Sequence, residues 1–409
     1  MLSRGLGRSY GDSALPPASA PVVLGTRRAD RLLAFDPATG VLRAEAGVSL
    51  ATVNRLFLPR GYFLPVTPGT QHVTLGGAVA ADVHGKNHHR DGCFGEHVRR
   101  LTMRVADGRL LTVSPEHETE LFRATVGGMG LTGHILDVET TLVRVPSPYI
   151  LEETTRVSDI DEYIEALERA AGRHRYTVGW IDCLSRGAAL GRGVLMAGDW
   201  ATPELCPTVP PRASRSATLP VDLPSFALGR PSVRAFNAAF FHAHRSGTTR
   251  RLQTWEKFFY PLDRIREWNR MYGTRGFTQY QCVLPAEAGR GAARRLLDVL
   301  TRRGGASFLC VIKDCGEQGE GMLSFPRRGI SIAFDIALRD DTQALVDALN
   351  EHVLAEGGRI YLAKDSLTRR EHFVAMEPRL PAFQEVRRRY DPELRLRSAQ
   401  SVRLFGDRP

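Results

Sequence analysis

The chain has 409 residues, 43% of them hydrophobic, which is room for two domains with separate cores. No run approaches the roughly eighteen apolar residues of a membrane span, and no secretory leader precedes the first motif, so a cytoplasmic or peripherally membrane-associated protein is expected. The net charge of +10 suits acidic partners, yet the arginines that carry it are dispersed and no basic run of nucleic-acid type occurs.

In chain order, residues 22–24 and 42–46 read as strands. Ser49 is placed to cap a helix through Leu58, with Leu50, Val53 and Phe57 on one face. Residues 98–105 alternate, turn at Asp107-Gly108 and resume over 110–113, which predicts a hairpin; 133–145 reads as a further long strand. Pro146-Ser147-Pro148 marks a boundary. Beyond it come an amphipathic helix over 160–171 and strands over 176–181 and 193–196. Residues 202–231, rich in Pro, Ser and Ala, read as an extended loop. Strands near 277–284, 307–313 and 329–334 then alternate with helices near 286–302 and 341–354, an α+β pattern.

Six cysteines (Cys93, Cys183, Cys206, Cys282, Cys310, Cys315) show no CxxC spacing, so reduced structural thiols are expected and no metal site. Lysine is scarce. Lys86, Lys257, Lys313 and Lys364 stand in a chain whose default cation is arginine, and lysine alone of the two can lose its proton on burial.

Three glycine-rich segments lie in the first third: Arg4-Gly5-Leu6-Gly7-Arg8-Ser9-Tyr10-Gly11-Asp12, Pro68-Gly69-Thr70-Gln71-His72-Val73-Thr74-Leu75-Gly76-Gly77, and Val126-Gly127-Gly128-Met129-Gly130-Leu131-Thr132-Gly133. Glycines let backbone N–H groups approach an anion, so three such loops suit a dinucleotide pyrophosphate. The last contains GxGxxG, but a helix precedes it and a strand follows, which is the wrong context for a Rossmann turn. Asp82-Val83-His84-Gly85-Lys86-Asn87-His88-His89 packs three histidines and a rare lysine together. Metal ligation would use His84, His88 and His89 without a matching carboxylate or thiolate. A flavin ring offers the other reading, since positive charge stabilises its reduced anion.

These segments resemble the FAD-binding segments of the vanillyl-alcohol-oxidase-type flavoproteins and, within them, the family of decaprenylphosphoryl-ribose 2′-oxidases, flavin subunits of the epimerase that makes lipid-linked arabinose. The resemblance continues through Glu267-Trp268-Asn269-Arg270, Gln279-Tyr280-Gln281, residues 308–313 and Tyr361-Leu362-Ala363-Lys364-Asp365-Ser366, so it covers nearly the whole chain. It implies a two-domain α+β fold of the vanillyl-alcohol-oxidase/PCMH type, with an antiparallel-sheet substrate domain inserted: 1–146 and 357–409 for FAD, 147–356 for substrate. Non-covalent FAD would lie against Arg4, Gly5, Leu6, Gly7, Arg8, Ser9, Tyr10, Gly11, Gly69, Thr74, Leu75, Gly76, Gly77, Val83, His84, Gly130, Gly133, Ile135 and Tyr361.

There are departures. The family carries an additional strand region before Arg4, which points to a shortened N-terminus here. The family's Asn-Ile-Cys-Val-Asp reads Ser331-Ile332-Ala333-Phe334-Asp335, so Ala333 replaces an active-site cysteine, and Phe259 replaces a pocket tyrosine.

By this resemblance the reaction is oxidation of a secondary alcohol to a ketone, the first half of an epimerisation of a polyprenyl-phosphate-linked ribose at its 2′-hydroxyl. Lys364, Tyr10 and His84 are the candidates around the reacting hydroxyl, with Lys364 foremost as a base; its other reading is a fixed cation paired with Asp365. Lys86, Gln279, Gln281 and Lys313 would hold the sugar and its phosphate, beside Phe259, Ser331 and Ala333. Trp180 would offer an apolar face to the sugar or lipid, or serve equally as a core residue. Oxygen or a quinone would reoxidise the flavin, and an NAD(P)H-dependent keto-reductase partner would complete the epimerisation. A flavin oxidase of a free polyol, sugar or sugar lactone is the alternative within the class. A non-catalytic arginine-rich nucleic-acid-binding protein is the alternative outside it.

Overall fold

Ser49 caps the helix Leu50–Phe57 as expected: its hydroxyl accepts the Thr52 N–H at 3.1 Å, and Leu50, Val53 and Phe57 are buried. The computed structural model that contains this helix describes residues 1–19, 22–209, 211, 216–224, 228–305 and 307–408. By contacts, the chain divides into two units, one of Met1–Pro146, Glu317–Pro326 and Arg369–Pro409, the other of Ser147–Gly316 and Arg327–Thr368.

The first unit is built on a five-stranded antiparallel sheet. Its strands are β1 (Leu32–Asp36), β2 (Val41–Glu45), β3 (Val98–Arg104), β4 (Leu110–Val113) and β5 (His134–Thr141), in the order β1-β2-β5-β3-β4. The alternation read in the sequence puts Leu42, Ala44, Leu101, Met103 and Val138 in one core with Val53 and Phe57. Both chain ends meet in this unit. Arg403 pairs with Asp12 at 2.7 Å, and the Ala399 N–H bonds the Leu15 carbonyl at 2.8 Å.

The second unit is an eight-stranded antiparallel sheet. Its strands are β6 (Tyr149–Val157), β7 (Tyr176–Ile181), β8 (Gly193–Trp200), β9 (Gly247–Thr254), β10 (Phe277–Pro285), β11 (Cys310–Cys315), β12 (Gly329–Ala337) and β13 (Arg359–Ile360), in the order β9-β6-β8-β7-β11-β12-β10-β13. Tyr280, Cys282, Ile312, Ile332 and Phe334 share one face, where the Tyr280 hydroxyl donates to Asn350 of the helix Thr342–Ala355 at 3.0 Å.

Several expectations need correction. Residues 357–368 pack with the second unit rather than returning to the first, because β13 pairs with β10 and the Ser366 and Thr278 hydroxyls bond at 2.6 Å. Residues 317–326 join the first unit, held by the Met322 N–H on the Arg123 carbonyl at 2.8 Å. β11 starts at Cys310, since the Ser307 hydroxyl bonds the Leu309 carbonyl at 2.5 Å and turns the chain there. The segment expected as a loop over 202–231 contains a short strand, Ala217–Thr218, parallel to Ile265–Arg266, and the first residues of the helix Arg230–Ala243; its positions 210, 212–215 and 225–227 lie outside the described residues. Among the described residues no helix is long and apolar enough to cross a membrane.

Candidate active site

In the first unit the three glycine-rich segments converge on the helix Leu75–Ala80. A Cβ at Gly5 would stand 2.4 Å from the Thr74 hydroxyl, so the first loop passes against the second only because residue 5 is glycine. Thr74 caps the helix, accepting the Gly77 N–H at 3.1 Å. The third loop hangs on the same helix through the Gly127 N–H on the Val79 carbonyl (3.0 Å) and the Met129 N–H on the Ala80 carbonyl (2.8 Å). Gly7 and Gly130 take left-handed φ of +61° and +78°, and a Cβ at Gly69 or Gly130 would meet no atom within 4 Å. Bare, open backbone at the rims of converging loops fits a pyrophosphate approached by N–H groups, so the residues present fit FAD. A helix, Thr119–Thr125, precedes the GxGxxG and β5 follows, as the sequence pattern implied.

The other expected cofactor residues divide. Arg8 is exposed, while Arg4, Leu6, Ser9, Tyr10, Gly11 and Gly76 are partly buried. The Arg4 guanidinium folds back over Gly7. Leu75, Val83 and Ile135 are members of the unit's hydrophobic core. Gly133 lets β5 pass Met103 and the Arg104 carbonyl. Tyr361 falls in the second unit, where its N–H bonds the Gln281 carbonyl at 3.0 Å.

His84 is buried, its ring 5.4 Å from Phe325 and 6.3 Å from His88. Lys86 is partly buried in the same turn, and His88 Nε2 lies 3.3 Å from Cys93 Sγ. Among the described residues no group of three His, Cys, Asp or Glu could hold a metal. The turn rests on Asp82, the first residue of the histidine-rich segment, to which the sequence pattern gave no role. It has a left-handed φ of +39°, and its buried carboxylate accepts the Gly95 N–H at 2.9 Å and the Ser324 hydroxyl. Burial pushes this carboxyl up to about 6 against those hydrogen bonds.

In the second unit the strand register assembles most of the expected substrate residues. Trp180 on β7 stands opposite Val311 on β11, Val311 opposite Ala333 on β12, and Ala333 opposite Gln281 on β10. Lys313 stands opposite Ser331, and Asp335 opposite Gln279. Side chains alternate across a strand, so Trp180, Gln279, Gln281, Lys313, Ser331, Ala333 and Asp335 share one face, away from the helix that receives Tyr280.

This face is polar and specifically bonded. Gln281 Nε2 donates to Ser331 Oγ at 3.0 Å, and Gln279 Nε2 to Asp335 Oδ1 at 2.5 Å. The Tyr272 hydroxyl donates to Asp335 Oδ2 at 2.6 Å. Gln279 Oε1 is buried and, among the described residues, accepts no hydrogen bond, so it is available to a hydroxyl donor. Trp180 is buried against Phe240 at 4.7 Å and donates its indole N–H to the Phe308 carbonyl at 2.9 Å. Phe259 sits in an aromatic cluster, edge-on to Tyr176 at 4.9 Å and 5.6 Å from Trp200.

Lys364 ends a short turn, Leu362–Lys364, whose last N–H bonds the Tyr361 carbonyl at 2.9 Å. Burial lowers its ammonium to about 7; Asp335 opposes that shift and Lys313 adds to it. Asp335 is pushed up by burial, against its bonds to Tyr272 and Gln279 and the charge of Lys364. A lysine brought towards neutrality can accept a proton from an alcohol. The carboxylate whose charge opposes the shift is Asp335 of β12, whereas the sequence pattern offered Asp365.

An FAD binding domain family matches residues 1–114. The decaprenylphosphoryl-beta-D-ribose oxidase of Mycolicibacterium smegmatis is 35% identical over 402 residues, 96% of this chain and 86% of that protein. An uncharacterized protein in the mprA 5′ region of Streptomyces coelicolor is 35% identical over 359 residues, 84% of this chain and 96% of its own length. A putative D-arabinono-1,4-lactone oxidase of Neurospora crassa is 30% identical over 118 residues, 29% of this chain and 21% of that protein.

Proposed function

Since the chain belongs to the decaprenylphosphoryl-β-D-ribose oxidase family, FAD-dependent oxidoreductases acting on CH–OH groups, we propose that it oxidises the 2′-hydroxyl of a polyprenyl-phosphate-linked ribose to the ketone. Bound FAD would supply the two-electron acceptor for the hydride of the carbinol carbon. The loops around Gly5, Thr74 and Gly130 hold the cofactor without a covalent link, and His84 and Tyr10 complete its surroundings. Lys364 takes the hydroxyl proton. Gln279 Oε1 and Gln281 orient the sugar hydroxyls, and the cations Lys313 and Lys86 receive the phosphate. Oxygen or a quinone would serve as the final electron acceptor, and an NAD(P)H-dependent keto-reductase partner would return the ketone to an alcohol of opposite configuration.

The observation that carries the reading is the shared face of Gln279, Gln281, Lys313, Ser331 and Asp335, with Lys364 coupled electrostatically to it. The test is anaerobic bleaching of the flavin absorbance by a polyprenyl-phosphoryl ribose, by ribose 5-phosphate and by free ribose, polyols and sugar lactones. Bleaching by the lipid-linked sugar alone, or far faster, is expected. Equal bleaching by a free polyol or lactone overturns the substrate assignment.

A further inference from the structure

We propose that Asp335 is a positioning residue for Lys364: its carboxylate, clamped by Tyr272 and Gln279, fixes the amine over the polar face of the sheet and balances its charge. The proposal rests on the reading of Lys364 as the base.

The geometry is specific. Asp335 is 1% exposed, on β12 in the second unit. Each carboxylate oxygen has its own neutral donor, Tyr272 on Oδ2 and Gln279 on Oδ1, and the Asp335 N–H bonds the Ser307 hydroxyl at 3.2 Å. Two neutral donors orient a buried carboxylate but leave its charge uncompensated, which is costly without a cation. The turn that carries Lys364 is tied to the same strand on both sides of Gln279, by the Tyr361 N–H on the Gln281 carbonyl at 3.0 Å and by the Thr278–Ser366 hydroxyl bond at 2.6 Å, which brings a cation to the strand whose Gln279 holds Asp335.

The charged groups that act on Lys364 come from two neighbouring strands. Asp335 on β12 carries the opposite charge and Lys313 on β11 the like charge. Tyr272 contributes a phenol that is spent on Asp335. Asp365, next in the chain, accepts the Thr368 N–H at 2.9 Å. Burial and Lys313 both drive the ammonium towards losing its proton, and Asp335 is the counterweight. The same carboxylate orients a substrate contact. By taking the Gln279 amide N–H it sets which way that amide faces, leaving Oε1 as the acceptor.

Removing the negative charge therefore lets Lys364 deprotonate at lower pH. Two measurements on the holoenzyme test this. Competitive acetylation across pH, read by peptide mass spectrometry, follows the Lys364 amine without turnover, and exposed Lys257 serves as an internal reference in a chain of four lysines. Anaerobic flavin reduction across pH follows the chemistry. For Asp335→Asn the acetylation midpoint of Lys364 is expected about one pH unit or more lower, with the acid limb of flavin reduction moving alongside it. Tyr272→Phe removes a donor that favours the carboxylate and moves the midpoint the same way by less; it carries the test if Asp335→Asn does not fold. An unmoved acetylation midpoint in the variants overturns the positioning role. A midpoint that moves while the reduction profile stays fixed keeps the positioning role and overturns Lys364 as the base.

Discussion

The Ser324 hydroxyl donates to the carboxylate of Asp82, 242 residues earlier in the chain, and both side chains are buried. This bond fastens the segment 317–326 to the turn that leads into His84, so a stretch lying in sequence between strands of the second unit completes the first.

The stability consequence has a definite sign. The Asp82 carboxyl is raised by burial to about 6, above its unfolded value of about 3.9. Its contribution is therefore present in full below about pH 4 and is lost as pH rises through about 6. Urea midpoints measured from pH 4 to 7 should fall across that window, and Asp82→Asn should flatten the fall. Ser324→Ala, which leaves the carboxylate short of a donor, should cost about 1–3 kcal/mol at pH 7. A slope in Asp82→Asn equal to that of the parent protein would show that this carboxyl does not titrate there.

The cofactor is expected to be held without a covalent bond. His84 lies in a turn where some wider relatives of the resembled family attach flavin, yet the binding features of the first unit are open backbone at Gly69 and Gly130 and a capped helix at Thr74. Acid or heat denaturation should release the yellow cofactor to the supernatant. Colour retained in the precipitated chain contradicts this.

What was legible in the sequence follows the physics of local pattern. Gln279, Gln281, Lys313 and Ser331 lie on strands with a strict period of two, so their common face is implicit once the register is known. β6 and β9 escaped because their sequences look exposed. Glu152, Glu153, Thr154 and Arg156 on β6 read as polar, but Arg251 and Arg250 on β9 pair with Glu152 and Glu153 at 2.7 and 2.6 Å, so charge is carried into the sheet by partners about a hundred residues away. Asp335 and Tyr272 are likewise invisible singly: an aspartate at the end of an apolar strand acquires meaning only when a phenol 63 residues earlier reaches it. Leu75, Val83 and Ile135 carry a second role that the motif alone did not show, since residues inside or beside it also build the core beneath it.

The sheet face can be probed through Ala333, where the resembled family has a cysteine. Ala333 is partly buried on the same face as Gln281, whereas Cys282 and Cys310 point to the opposite, helix-covered face. Burial pushes the Cys282 and Cys315 thiols up to about 12, and a thiol held protonated is a poor nucleophile. Brief treatment of the native holoenzyme with a maleimide should therefore leave Cys282 and Cys315 unmodified. Ala333→Cys should gain one adduct on residues 329–337, and prior binding of substrate should slow its formation. The absence of that adduct in the variant, or a rate indifferent to substrate, would contradict the assigned face.

Lys364 should be needed for flavin reduction and far less for flavin binding. Its amine is lowered to about 7 by burial, so near neutral pH a substantial fraction is unprotonated and able to take the alcohol proton. As the proposed base, the group would act on the reacting hydroxyl in the transition state, whereas the loops that fit the cofactor belong to the first unit and Lys364 to the second. Lys364→Ala should thus purify yellow, with flavin content near that of the parent, yet reduce about 10²–10⁴-fold more slowly on anaerobic mixing with substrate. Lys364→Arg should not restore the rate, because guanidinium keeps its proton and is too large for a partly buried ammonium site beside Lys313. Reduction by the parent enzyme should fall as pH drops below about 7, where the amine becomes protonated, and the residual rate of Lys364→Ala should lack that limb. Stopped-flow absorbance at the flavin band reads all three. Fast reduction by Lys364→Ala, or by Lys364→Arg, would leave this lysine as a fixed cation for the sugar or its phosphate and would move the search for the base to Tyr10 and His84.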